Sequence, residues 1–105
     1  MTKVNMMETL LGDGEDNALI RFTMGSAFIK HGKFEQAIEQ LEKAIELKPG
    51  FTAAWLKYAE ALFGDGRITE SLSTLSERIR VATEKGDSDS IEKISALREH
   101  LQKST

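Results

Sequence analysis

Apolar positions along this 105-residue chain recur every three to four residues, in segments separated by glycine-containing breaks. That is the period of amphipathic helices. A first short helix is predicted over about residues 2–11, with Val4, Met7, Leu10 and Leu11 on one side and Gly12-Asp13-Gly14 closing it. A second begins at an Asp16 or Asn17 cap and runs to about Lys30, with Ile20, Met24, Ala27 and Phe28 facing inward. The third spans residues 34–47 on a stripe of Ala37, Ile38, Leu41, Ala44 and Ile45. Its outer face carries Glu39 and Lys43 as an i,i+4 pair, and Pro49 stops it by disfavouring a helical Lys48. Helices over residues 53–63 and 69–83 follow, joined by Gly64-Asp65-Gly66. After Gly86-Asp87-Ser88, Asp89 and Glu92 predict a capping box for a last helix to about Gln102, with Ile91, Ile94, Leu97 and Leu101 in line. No segment alternates with the period of two that a half-buried strand requires. The expectation is an all-α chain of about six helices in antiparallel hairpins.

The pattern also repeats with a period of 34 residues. Arg21 falls on Trp55, Met24 on Tyr58, Gly25 on Ala59 and Phe28 on Leu62. Gly32 then falls on Gly66, Phe34 on Ile68, Ala37 on Ser71, Leu41 on Leu75 and Ile45 on Ile79. A repeat of this length marks stacked helical hairpins, none of which buries its apolar face alone. Gly25 and Ala37 are small where paired helices come close, and Phe28 and Leu41 fill the space beside them.

Composition narrows the function classes. A net charge of −3 and a pI near 5.4 oppose nucleic-acid binding, which calls for a basic stripe. Residues 1–17 hold one lysine against four acidic residues, whereas the two repeats are close to neutral. The absence of cysteine removes disulfides, thiolate nucleophiles and thiolate metal sites. No stretch has the length of an apolar membrane span, and the first residues lack a signal-peptide core, so a cytoplasmic protein is expected.

Residues 18–51 resemble a tetratricopeptide repeat, on Met24, Gly25, Phe28, Ala37, Leu41, Ala44 and Pro49 and on the run Gly32-Lys33-Phe34-Glu35-Gln36-Ala37-Ile38. Residues 52–85 resemble a second, more divergent copy, with Trp55, Tyr58, Ala59 and Leu62. It departs at Ser71 and Arg78, where the family has small residues, and at Thr83 in place of the terminal proline, so its second helix is expected to run on. The resemblance implies a right-handed stack of hairpins in one domain, with residues 1–17 and 86–105 as capping helices because stacked repeats need closed ends. The overall layout also resembles that of small stand-alone bacterial proteins of this family.

The resemblance further implies a concave groove lined by the first helices of successive repeats. The matching positions are Leu19, Phe22, Ser26, Ile29 and Lys30 in the first copy, and Ala53, Leu56, Lys57, Glu60 and Phe63 in the second. This mixture suits an apolar or amphipathic segment of a partner protein, anchored on Phe22, Leu56 and Phe63. The alternative is that the last helix folds across the groove and makes these residues core. Some family members hold a partner's terminal carboxylate with a Lys and an Asn four residues on, but Phe22 and Ser26 stand at those positions and Lys57 where a further Asn would be. The expected function is therefore an adaptor for a peptide or helix. The second possibility is a self-associating subunit that forms a weak homo-oligomer through its helical ends. No enzyme, cofactor or metal role is expected: His31 and His100 are isolated, Glu35 and Glu39 lie on a helix exterior, and Gly64-Asp65-Gly66 lacks the P-loop Lys-Ser/Thr.

Overall fold

The computed structural model describes residues 15–105, as five helices and no strand: α1 (Glu15–Lys30), α2 (Phe34–Leu47), α3 (Thr52–Gly64), α4 (Ile68–Lys85) and α5 (Ser88–Lys103). The helix expected over residues 2–11, its glycine stop and its capping role lie outside the described residues.

Each helix packs on the next, and α3 additionally touches both α1 and α5. The helices α1, α3 and α5 thus form one row, backed by α2 and α4. Three turns use one device. Gly32, Gly66 and Gly86 have φ of 72°, 84° and 67°, a left-handed conformation that glycine adopts without Cβ conflict. The next residue's N–H then reaches back to the helix: Lys33 to the Phe28 carbonyl, Arg67 to that of Leu62 and Asp87 to that of Ala82, at 2.8–2.9 Å. This is the Schellman closure, and it satisfies carbonyls the helix ends would otherwise leave open. Two of these glycines are 34 residues apart, so the repeat in sequence is a repeat in turn geometry.

The core forms two clusters, to both of which α3 contributes. Ala37, Ile38, Leu41, Ala61 and Leu62 form one buried cluster, and Ala59, Leu75, Ile94 and Leu101 form the other. The close approach expected at Gly25 is present: a Cβ there would lie 2.5 Å from Leu41 Cγ. Gly64 makes a similar approach to the Phe34 ring, which a Cβ there would strike.

Three sequence expectations are corrected. The second predicted helix starts at Glu15, so Asp16 and Asn17 lie within its first turn rather than capping it, and Asn17 is buried. Ala27 is exposed, because α2 meets the face of α1 that carries Gly25 and Phe28. The last helix is capped by Asp87, not Asp89. The turn at Gly86 delivers Asp87 to the cap position, where its carboxylate accepts from Ser90 N at 3.2 Å and Ser90 Oγ at 2.6 Å. These bonds hold the Asp87 carboxyl below its ordinary pKa. A depressed carboxyl pKa contributes stability above the unfolded-state value and loses it as pH falls through the folded one. Asp87→Ala should therefore lower the melting temperature at pH 7, and the gap to wild type should narrow at pH 3, as thermal melts followed by circular dichroism would show.

The divergent second copy accommodates its departures. Ser71 is fully buried and its hydroxyl donates to the Ala59 carbonyl oxygen at 2.7 Å, so it ties α4 to α3. Arg78 lays its guanidinium 4.3 Å from the centre of the Trp55 ring. With Thr83 in place of proline, α4 continues to Lys85 and reaches 18 residues, against 14 in α2.

Candidate functional site

The row α1–α3–α5 carries the residues predicted to line a groove. On α1, Leu19 is 56% exposed, a large apolar side chain left in water. One turn on, Phe22 is half-buried, with its ring centre 4.9 Å from that of Phe51, and both it and Ile29 pack against the first core cluster. Ser26 Oγ is buried without a hydrogen-bond partner among the described residues, and Lys30 is exposed. On α3, Ala53 is exposed and Lys57 pairs with Glu60 at 3.4 Å, an arrangement that tethers both charges. Leu56 and Phe63 are half-buried against the second core cluster, which includes Ile94 and Leu101 of α5.

Those last contacts show what α5 does. It packs on α4 and along α3, as α3 packs on α2 and along α1, and it makes no contact with α1. It therefore continues the row and shares the apolar surface of Leu56 and Phe63. Leu19, Lys57 and Glu60 belong to neither buried cluster, while Phe22 packs against the first from its edge.

Two clefts share none of these groove residues. The larger, about 550 Å³, sits between α4 and α5 at the open end of the stack, among Leu72, Ser76, Glu77, Arg80, Arg98 and Gln102. The smaller, about 220 Å³, lies between α2 and α3 and is walled by Trp55 and Tyr58. Sequence reasoning missed both, since each is made by two helices whose register along one another no local pattern encodes. The visible signal for the smaller one was the i,i+4 pair of carboxylates at Glu42 and Glu46. Burial, and then the charge of Glu42, push the Tyr58 phenol above its ordinary pKa; desolvation lowers that of Arg78. Among the described residues no three His, Cys, Asp or Glu side chains are grouped to hold a metal ion. No described helix is long and apolar enough to cross a membrane.

Residues 22–86 match the family model of the tetratricopeptide repeat. The chain is 30% identical over 81 residues to a TPR repeat-containing protein of Pseudomonas aeruginosa, covering 77% of each. It is 32% identical over 66 residues to a chloroplastic tetratricopeptide repeat domain-containing protein of Arabidopsis thaliana, of which it spans 22%. A solution structure of a protein from Bordetella parapertussis superposes with a TM-score of 0.74 at 24% identity, covering 99% of this chain and 90% of that one. That likeness shows a shared fold.

Proposed function

Because this chain belongs to the tetratricopeptide repeat family, we propose that it is a protein-interaction module that receives an apolar or amphipathic segment of a partner along α1 and α3. The observation that carries this reading is Leu19, exposed at 56% beside half-buried Phe22, on a row that α5 extends without reaching α1. Interface energy concentrates in large apolar side chains ringed by polar ones, and Lys30, Lys57 and Glu60 supply such a ring here. The Lys57–Glu60 pair leaves the groove without a strong net charge, which suits an amphipathic segment better than a highly charged one.

Leu19→Glu is the cleanest test. Leu19 is the most exposed large apolar residue on the row, so the substitution should alter stability by less than about 0.5 kcal/mol. Phe22→Glu would also break the contact with Phe51 and the core. A partner that co-purifies with the tagged wild-type chain should be lost with Leu19→Glu, at unchanged melting temperature, and retained with Glu77→Gln. Equal recovery with both variants would exclude the groove as the binding surface.

Self-association through the ends of the stack is the second reading. The exposed apolar side chains Leu47 and Ile68 lie at the tips of α2 and α4, outside the cleft at the α4/α5 end, and that cleft is lined mainly by polar side chains, which suits a solvated cap better than a dry joint. Light scattering over a wide concentration range separates the two: a constant monomer mass leaves the adaptor reading alone.

A further inference from the structure

The side of α3 turned away from Lys57 and Glu60 carries the chain's single tryptophan and single tyrosine. Trp55 and Tyr58 meet edge to face, with ring centroids 6.1 Å apart and an interplanar angle of 77°. Together with Ile45, Glu42 and Glu46 of α2 they enclose the cleft of about 220 Å³. That is below the roughly 300–1,000 Å³ of small-molecule sites and suits a single long side chain. We propose that this cleft is a docking site for a cationic side chain, a lysine or arginine carried by a partner protein.

Three observations converge on that chemistry. The walls are aromatic, and the negative face of a π system attracts ammonium and guanidinium groups. The Trp55 ring already holds one such group: the Arg78 guanidinium lies over it, outside the cleft. The rim carries two carboxylates that have no cationic partner among the described residues. Glu42 and Glu46 are exposed one turn apart, a like-charge spacing that slightly disfavours the helix, yet neither forms an ion pair among the described residues, unlike Glu39, Glu60 or Glu70. Glu42 Oε2 accepts a long, 3.4 Å bond from the Tyr58 hydroxyl, which brings that carboxylate against the rings. Half-buried Ile45 supplies apolar surface for the methylene stem of the incoming side chain. The site shares no residue with the groove along α1 and α3, so it stands or falls independently of that reading.

Trp55, as the sole tryptophan, reports on the cleft directly through its fluorescence and its indole N–H resonance. The full chain is titrated with acetyl-Gly-Lys-Lys-Gly-amide, with its arginine counterpart and with a norleucine counterpart that keeps the stem but lacks the charge. The expected result is a saturable Trp55 response to at least one basic peptide and none to the norleucine peptide. Affinity should weaken about fivefold or more in the E42Q/E46Q double variant, which keeps side-chain shape and removes two surface charges. Circular dichroism checks its fold, and E46Q alone serves if the double variant is unstable. The proposal is overturned by a flat response to both basic peptides, by an equal response to norleucine, or by unchanged affinity in the folded glutamine variant.

Discussion

Leu41→Ala is expected to cost about 3–5 kcal/mol of unfolding free energy, the upper part of the range for leucine truncation in a core. Leu41 has no exposed surface, belongs to the cluster formed with Ala37, Ile38, Ala61 and Leu62, and lies against Gly25 of the facing helix. A cavity there could not be refilled cheaply, because three of its neighbours are alanine or glycine and have no side chain to swing inward. Leu75, 34 residues on, is equally buried and has Ile94 and Leu101 beside it. Its truncation should cost less, about 2–4 kcal/mol, since Ala59 is the one small residue in its cluster and the longer neighbours form the larger share of the wall that can relax toward the gap. Domains of this size hold only about 5–15 kcal/mol in total, so either variant should show a large loss in urea midpoint. Equal losses would mean that relaxation around the two leucines does not differ.

Gly25→Ala opposes two effects of known size. Alanine improves helix propensity by about 1 kcal/mol over glycine. The new Cβ, however, would lie 2.5 Å from Leu41 Cγ and 2.8 Å from Cδ2, and fully buried Leu41 has nowhere to retreat. Overpacking of this kind costs about 1–3 kcal/mol or more, so the net result should be destabilising. The double variant Gly25→Ala/Leu41→Ala gives the sharper reading. The added methyl enters the space left by the leucine, so the double variant should be more stable than the sum of the single losses predicts. Additive losses in denaturant titrations would show that the two residues do not share one contact.

The helices were largely legible in the sequence. Four of the five lie within two residues of the spans read from apolar spacing and from Gly32, Pro49, Gly64–Gly66 and Gly86. The small residues at the crossing were legible too, because a 34-residue echo singles out Gly25 and Ala59 inside apolar runs. Capping was less so. Asp87 and Asp89 both carry the right chemistry, and the choice between them rests on where the left-handed Gly86 turn releases the chain. The apparent erosion of the second copy was a misleading signal. Ser71 and Arg78 differ from the family's small residues, yet the Ala59 carbonyl and the Trp55 ring receive them. Both partners sit on the preceding helix, and the register that brings them together is absent from any local pattern.

By itself, then, the sequence determined an all-helical hairpin stack, its repeat length, its turns and the residues that had to be small. These follow from dihedral preferences and side-chain periodicity, which act over one or two helical turns. Only the tertiary structure decided which apolar residues are shared with a neighbouring helix and which remain free. It placed α5 against Leu56 and Phe63 while leaving Leu19 in water, and it set Glu42 and Glu46 around Trp55 and Tyr58. Those outcomes depend on how each helix rotates and slides against the next. That relation is fixed by interdigitating side chains from distant positions, such as Leu41 over Gly25 and Phe34 over Gly64.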